Sequence, residues 1–231
     1  MVQMLSIMLT GAIISLEVFF LTLVFSLPLA LPLAFGRMSR HRVIRGVING
    51  YLLIMRGTPL ILQLIFIYFA PKYLYKALYD SFGGGSPEFW QVLRFVFSYD
   101  RFTAVIIAFV LNYAAYFAEI YRGGIESIAK GQYEAAQVLG FTHSQTFGRI
   151  ILPQVIKRIL PASGNEVITL VKDTALAQTI GVAELFHAAQ NAAAREFSTL
   201  PIFVAGVFYF MMNWVVSLAF TWYEKKLSYY T

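Results

Sequence analysis

The segment EAAQVLGFTHSQTFGRIILP, residues 134–153, lies between two strongly apolar runs and is itself of mixed polarity. Its first six residues favour a short helix, and Gly140 can end that helix in the left-handed conformation that glycine adopts readily. Thr142 or Ser144 can cap a second short helix, because either hydroxyl can accept a hydrogen bond from a backbone N–H group of the first turn. Pro153 limits how that second helix continues into the next apolar run. This segment, hereafter the knob, is therefore predicted to be two short helices that meet at a glycine corner.

The composition of the chain is that of an integral membrane protein. Hydrophobic residues make up 58% of its 231 residues, charged residues only 13%, and the mean hydropathy is +0.66. A soluble domain of this length could not bury so large an apolar fraction. The length fits a single membrane domain over residues 1–231, since each spanning helix needs about 20 apolar residues. The chain has no cysteine, which excludes disulfides and thiolate metal sites.

Five apolar runs predict five membrane-spanning helices. Backbone groups in lipid must be satisfied within their own segment, and the runs are too long and unbroken for barrel strands, so an all-α membrane fold is expected. The first run has no basic residue before it, which favours a spanning helix over a cleaved signal peptide. The predicted spans are residues 10–35, 49–69, 102–121, 159–182 and 200–223.

The basic residues predict an orientation with the N-terminus outside and the C-terminus inside. Arginines follow the first span at positions 37, 40, 42 and 45, and no base precedes it. Alternation then places residues 122–158, with five bases, and Lys225 and Lys226 inside. The external residues 70–101 carry four bases against this rule, and their three glycines, 83–85, predict a flexible loop. This topology puts the knob, within residues 130–155, in the cytoplasm.

The net charge of +6 follows from the same placement. Bases at the cytoplasmic ends of helices meet the anionic inner leaflet of the bilayer. A nucleic-acid-binding protein would instead gather its bases on one face. The charge therefore indicates contact with the lipid bilayer and no nucleic-acid partner.

Polar side chains inside the third and fourth spans predict a substrate pathway. A charge at the bilayer centre costs about 2.5–3.5 kcal/mol, so such a residue faces a partner or a wet cavity. Asn112, Tyr116 and Glu119 fall within an arc of about 60° on the third helix. Glu119, together with Glu166 and Asp173 of the fourth span, is a candidate acceptor for an ammonium group. A free backbone N–H near residues 172–175 is a candidate donor for a carboxylate.

These residues can instead have purely structural roles. Lys172 and Asp173 can neutralise each other, and Glu119 can pair with Arg122 one turn away. Glu166 can be solvated near the cytoplasmic end of its span. Asn112 can form an interhelical hydrogen bond, while Arg56 can either snorkel or line the pathway. The sequence leaves these alternatives open.

Seven residues of the knob carry a family resemblance. The pattern E-A-A, three residues, G, nine residues and I-x-L-P resembles the EAA motif of the membrane subunits of ATP-driven (ABC) importers. In that family the segment folds as short cytoplasmic coupling helices that dock into a groove on a separate ATPase subunit. The resemblance assigns this coupling role to Glu134, Ala135, Ala136, Gly140, Ile150, Leu152 and Pro153.

Three flanking stretches narrow the resemblance to the polar amino acid permeases, of the histidine, arginine and glutamine type. They are RGTPL at residues 56–60, NYAAYFAEIYRGGI at residues 112–125 and LVKDTAL at residues 170–176. Together with the knob they cover the chain from about residue 50 to residue 185. Glu17 stands in the first span where the family pattern often has a threonine, so the resemblance leaves that charge unexplained.

The resemblance implies a multi-pass permease subunit of the bacterial inner membrane that imports a polar amino acid. It implies two ATP-binding cassette subunits, a second permease subunit as a homodimer or a paralogue, and an external substrate-binding protein as partners. The embedded acids favour a cationic amino acid, and glutamine or another neutral polar amino acid is the alternative. The predicted substrate-binding residues are Glu119, Asn112, Tyr116, Asp173, Thr174, Lys172, Glu166 and Arg56.

The sequence contains no catalytic constellation. Its three histidines are far apart and lack metal-ligand spacing. No phosphate-binding loop is present, so any ATP is expected to bind a partner chain, and no cofactor is expected in this one. The competing function is a self-sufficient secondary transporter or channel, which the embedded carboxylates would suit. That alternative lacks an obvious inverted repeat and leaves the knob without a role.

Overall fold

The computed structural model describes residues 2–82 and 86–227, and within these ranges the chain forms helices and no strand. The predicted all-α membrane fold is confirmed. The glycine loop predicted at residues 83–85 lies outside the described residues. The helices are α1 (Val2–Arg37), α2 (Arg42–Gly57), α3 (Leu60–Phe82), α4 (Pro87–Phe97), α5 (Arg101–Glu126), α6 (Lys130–Val138), α7 (His143–Gln145), α8 (Leu152–Asp173), α9 (Leu185–Glu196) and α10 (Leu200–Leu227). A π-helical segment, Thr146–Ile151, joins α7 to α8, and a 3₁₀ segment, Thr174–Ile180, follows α8.

Three of the described helices are long and apolar enough to cross a membrane. They cover Met4–Arg37, Arg101–Glu126 and Leu200–Leu227, and correspond to the first, third and fifth predicted spans. The fourth predicted span, residues 159–182, is divided between α8 and the 3₁₀ segment. The count of five spans and the orientation with the N-terminus outside stay predictions.

The second predicted span, residues 49–69, is wrong as a single straight helix. α2 ends at Gly57 and α3 begins at Leu60, and the two helices are bent by 111° relative to each other. Pro59 explains the break, because a proline disfavours the helical conformation in the residue before it. Thr58 is accordingly extended, with φ −123° and ψ 148°. Counted as one bent span, the pair raises the number of candidate spans to four.

Two buried amides satisfy backbone carbonyl groups at this break. The Nε2 atom of Gln63 donates to the carbonyl oxygens of Met55 at 2.9 Å and Thr58 at 3.1 Å. Asn112 of α5 donates from Nδ2 to the Met55 carbonyl and to Gln63 Oε1, each at 3.0 Å. Because an unpaired carbonyl in lipid is costly, these bonds fix the break against α5.

The core of the bundle is built around α5. This helix packs against α1, α2, α3 and α8. Ala104, Ala108 and Ala115 are fully buried on it, and such small residues let neighbouring helices approach closely. The rings of Tyr113 and Phe117 fill the remaining space between the helices. α5 therefore holds the polar residues of the third predicted span at the centre of the molecule.

A fully buried carboxylate, Glu184, joins three helices at the start of α9. Its Oε1 atom accepts from the His187 N–H at 2.7 Å and its Oε2 atom from the Phe186 N–H at 2.8 Å, which caps α9. Oε2 also accepts from the Tyr209 hydroxyl of α10 at 2.8 Å and from the Ser15 hydroxyl of α1 at 3.4 Å. Glu184 is not among the residues predicted from the sequence, although a carboxylate favours a helix N-terminus.

Candidate functional site

A cavity of about 420 Å³ opens beside the break between α2 and α3. The break, α5 and α8 with the start of the 3₁₀ segment each form one wall. The lining residues are Thr58, Pro59 and Leu60 of the break, Asn112, Tyr113 and Tyr116 of α5, and Glu166, Thr169, Asp173 and Leu176 of the last wall. Four of the eight predicted substrate residues, Asn112, Tyr116, Glu166 and Asp173, therefore meet in one cavity, hereafter the central cavity.

Two carboxyl groups face the central cavity, and neither forms an ion pair with a described residue. Asp173 Oδ2 accepts a hydrogen bond from the Tyr113 hydroxyl at 2.8 Å. Glu166 has neither a hydrogen bond nor an ion pair within the part of the chain that is described. Lys172 is exposed, and no ion pair joins it to Asp173 among the described residues. The cavity is thus suited to a cationic group.

The break also supplies hydrogen-bond donors to the central cavity. α3 begins at Leu60, which lines the cavity. The Leu62 and Gln63 N–H groups donate to the Pro59 carbonyl, which leaves the N–H groups of Leu60 and Ile61 without a partner in the helix. A free donor was predicted near residues 172–175 instead. There, the Thr174 N–H is already bonded to the carbonyl groups of Leu170 and Lys172, because α8 continues into the 3₁₀ segment. The donors for an anionic group lie at the N-terminus of α3.

Glu119 does not line the central cavity but lies within a cluster of arginines. Its Oε1 atom is 3.3 Å from Arg37 Nε, and its Oε2 atom is 3.3 Å from Arg56 Nη1 and 2.8 Å from Arg122 Nη2. Arg122 also pairs with Glu126. The Glu119 side chain is only 14% exposed. Glu119 therefore forms the ion pair with Arg122 that was predicted as its structural role, and it also pairs with Arg37 of α1 and Arg56 of α2.

The remaining predicted substrate residues lie at the edge of the central cavity or away from it. The Arg56 guanidinium carbon is 5.7 Å from the centroid of the Tyr116 ring, so Arg56 stands between the cavity and Glu119. Thr174 is buried, and its hydroxyl donates to the Val171 carbonyl at 2.8 Å. Neither Thr174 nor the exposed Lys172 lines the central cavity.

The corner of the knob has the predicted geometry. α6 ends before Gly140, which has a φ of 77°. The Gly140 N–H donates to the Gln137 carbonyl and the Phe141 N–H to the Ala136 carbonyl, each at 3.0 Å, which ends the helix as expected for a left-handed glycine. Thr142 caps the following turn in a capping box with Gln145.

The second predicted short helix of the knob is not separate from the next long helix. α7 is a single turn that continues through the π-helical segment Thr146–Ile151 into α8. Pro153 is the second residue of α8 and has no N–H to donate to the preceding turn, which fits the widened π-helical geometry just before it. The knob is therefore a rigid N-terminal extension of α8 that packs α6 against it.

The knob has a buried base and an exposed tip. Ile128, Ile151 and Val155 form a buried cluster at the base, against which Ile150 packs. Val138 and Leu139 at the tip are 88% and 73% exposed, so two adjacent apolar side chains of the knob are available to a partner. Of the predicted coupling residues, Ala136 is buried, while Glu134, Ala135, Gly140, Leu152 and Pro153 are exposed.

A known family accounts for the knob and the helices together. The sequence profile described as “Binding-protein-dependent transport system inner membrane component” matches residues 26–229. The chain belongs to this family. The resemblance of the permease to the membrane subunits of ABC importers is thereby confirmed.

Relatives of the permease include three transport proteins of similar length. It is 38% identical over 212 residues to the L-cystine transport system permease protein TcyB of Bacillus subtilis, covering 91% of the permease and 82% of the relative. It is 34% identical over 221 residues to the arginine transport system permease protein ArtQ of Bacillus subtilis, covering 95% and 92%. It is 36% identical over 208 residues to the nopaline transport system permease protein NocM of Agrobacterium fabrum, covering 88% and 80%.

Two solved structures resemble the permease in fold. A chain of an amino acid ABC transporter crystallised with histidines has a TM-score of 0.80 and 32% identity, with 98% of the permease and 96% of that chain covered. A chain of the inward-facing MetNI methionine ABC transporter has a TM-score of 0.74, with 98% of each chain covered. At 17% identity the second likeness concerns the fold alone.

Proposed function

We propose that this permease forms one half of the pathway of an ATP-driven importer for a polar amino acid, with a cationic amino acid as the best fit. The permease would lie in the inner membrane of a bacterium and would not itself catalyse a reaction. Its relatives named for arginine, nopaline and L-cystine support an amino acid as the transported class. The single observation that carries the preference for a cation is the pair of carboxyl groups in the central cavity.

The central cavity offers complementary groups to each part of such a substrate. Its 420 Å³ lies within the range of small-molecule sites. Glu166 and Asp173 would pair with the cationic side chain of the substrate, while the N-terminus of α3 would receive the carboxylate. Glu119 would act differently, because its carboxylate is already shared among three guanidinium groups. Its role would be to hold α1, α2 and α5 together below the cavity.

The energy for transport would come from two separate ATP-binding cassette subunits. The exposed tip of the knob would dock on one of them, and a second permease subunit, either a copy of this chain or a paralogue, would dock on the other. An external binding protein would deliver the amino acid. The knob lies between α5 and α8, and the same two helices carry two walls of the central cavity. A push on the knob would therefore move both walls and reorient the site.

Neutralising the acids of the central cavity is expected to weaken transport of a cationic amino acid selectively. With Asp173→Asn or Glu166→Gln, we expect the concentration of L-arginine for half-maximal uptake to rise about tenfold. A hydrogen bond to a charged group is worth about 1.5–3 kcal/mol, and each 1.4 kcal/mol is tenfold in affinity. Uptake should be measured in proteoliposomes with the complete complex, in parallel with L-glutamine.

Lys172→Gln is the matched control, because Lys172 is adjacent to Asp173 but does not line the central cavity. Its uptake of L-arginine should match that of the wild-type complex. If Asp173→Asn and Glu166→Gln weakened the uptake of L-arginine and L-glutamine equally, the two acids would not recognise the positive charge of the substrate side chain. Absence of L-arginine uptake by the wild-type complex would contradict the cationic substrate class.

A further inference from the structure

A second cavity, of about 640 Å³, lies at the end of the bundle away from the knob. It is lined by polar groups from three helices, Glu17 of α1, Tyr68 of α3 and Arg101 of α5, with Asp100 and Val182 beside them. Glu17 is the embedded charge that the family resemblance leaves unexplained. We call this space the distal cavity.

The distal cavity stands over the central cavity along the same elements. On α3, Tyr68 is about 12 Å beyond Leu60 at 1.5 Å per residue. On the antiparallel α5, Phe102 is about 15 Å beyond Asn112 in the same direction. Val182 follows the 3₁₀ segment whose Leu176 lines the central cavity. A molecule entering from the distal end would meet the distal cavity first.

Asp100 is committed to the structure of α5 and is not available to a ligand. Its Oδ2 atom accepts from the backbone N–H groups of Phe102 at 3.0 Å and Thr103 at 3.4 Å, which caps the helix. Its Oδ1 atom accepts from the Thr103 hydroxyl. The Thr103 hydroxyl holds the pKa of the Asp100 carboxyl below its usual value.

Glu17, unlike Asp100, does not cap a helix. It is exposed on α1, and it forms neither a hydrogen bond nor an ion pair with any residue in ranges 2–82 and 86–227. A carboxylate on a membrane-spanning helix normally faces a partner or a wet cavity. Since no described partner is present, the open distal cavity accounts for its charge.

One basic side chain, Arg101 of α5, lines the distal cavity, and Lys72 of α3 lies beside the lining residue Tyr68. Arg101 Nη1 donates to the Gly181 carbonyl at 3.3 Å, which leaves the other guanidinium N–H groups able to donate. The Lys72 ammonium lies 3.5 Å from the centroid of the Tyr68 ring. The cavity is thus bipolar, with an unpaired acid on α1 and a base, Arg101, on α5.

We propose that the distal cavity is a second binding site for the transported cationic amino acid, in which Glu17 receives the cationic side chain and Arg101 receives the carboxylate. The site would hold the amino acid between its entry and its arrival in the central cavity. This proposal rests on the proposed function for the class of substrate. The distal site differs from the proposed function because it assigns a ligand to residues outside the central cavity.

The absence of cysteine from the chain allows a direct test. Ile14→Cys would place a single thiol on the distal cavity while leaving Glu17 intact. In the complete complex in proteoliposomes, this thiol should react with an impermeant trimethylammonium methanethiosulfonate reagent, followed on this chain by mass spectrometry. L-Arginine at ten times its dissociation constant should slow the labelling about tenfold by mass action. Adding Glu17→Gln should raise the half-protecting concentration about fivefold, as expected for a half-solvated ion pair.

Two further thiols make the outcomes distinguishable. Gln91→Cys is exposed on α4, within the residues predicted to lie outside, and does not line the distal cavity, so L-arginine should not change its labelling rate. Thr169→Cys reports on the central cavity. Two outcomes would overturn the distal site alone. In the first, L-arginine protects Thr169→Cys but not Ile14→Cys. In the second, L-arginine protects Ile14→Cys equally well with and without Glu17→Gln. Protection at neither cavity would overturn the distal site together with the proposed cationic substrate.

Discussion

Replacing Gly140 with valine is expected to reduce substrate-stimulated ATPase activity and transport at least about tenfold while the chain still inserts into the membrane. Gly140 has a φ of 77° at the corner of the knob. The left-handed conformation costs an L-residue about 1–2 kcal/mol, and more when it is β-branched, so the corner would be populated about tenfold less. No side chain surrounds Gly140, so the expected effect is on backbone conformation and not on packing. ATPase activity of the reconstituted complex with loaded binding protein would measure it.

Two matched variants separate backbone strain from other causes. Gly140→Asn should retain most of the coupling, because asparagine tolerates the left-handed region far better than valine. Gly131→Ala, in the first turn of α6 where an added methyl group meets nothing within 4 Å, should behave as the wild type. Normal ATPase stimulation in Gly140→Val would show that the corner does not transmit the push.

Replacing Glu119 with glutamine is expected to cause the largest loss of stability of any single substitution considered. The Glu119 carboxylate forms ion pairs with Arg37, Arg56 and Arg122, which lie on three different helices. Glutamine keeps the shape but removes the charge with which Arg37 and Arg56 pair, while Arg122 keeps its ion pair with Glu126. The arginine side chains are 28–43% exposed, so the loss lies between that of an exposed pair and that of a buried pair, at about 2 kcal/mol. In a chain of this size that corresponds to an apparent melting temperature lower by about 6 °C, measured on the purified complex in detergent.

Glu126→Gln is the control for this substitution. Glu126 also pairs with Arg122, but its side chain is 53% exposed, against 14% for Glu119. An exposed pair contributes at most about 1 kcal/mol, so its melting temperature should fall by no more than about 3 °C. Equal shifts for the two variants would mean that the cluster does not hold α1, α2 and α5 together.

The features that were predicted correctly from the sequence depend on residues that are close together along the chain. The glycine corner at Gly140 and the cap at Thr142 follow from local backbone and hydrogen-bond rules, and both are present. Asn112 and Tyr116 share one helical face, so their meeting on one wall of the central cavity also follows from local geometry. The break at Pro59 could have been predicted, since a proline marks a helix boundary at the preceding residue. The apolar residues on both sides suggested a continuous span instead.

The features that the sequence did not predict depend on contacts between distant segments. Arg37 and Glu119 are 82 positions apart, and only the packing of α1 on α5 brings them together. The hydrogen bond between Ser15 and Glu184 joins residues 169 positions apart. A helical period places a side chain on a face of its own helix, but it does not say which helix lies opposite. Glu119 was for this reason grouped with the substrate residues, although its partners are arginines.

The most direct test of the account is whether uptake of L-arginine depends on ATP and on separate ATPase subunits. Radiolabelled L-arginine would be offered to proteoliposomes that contain either the complete complex with its binding protein or this chain alone under a proton or sodium gradient. We predict ATP-dependent accumulation by the complete complex and none by the chain alone. Accumulation by the chain alone, driven by an ion gradient, would contradict the account and support a self-sufficient secondary transporter.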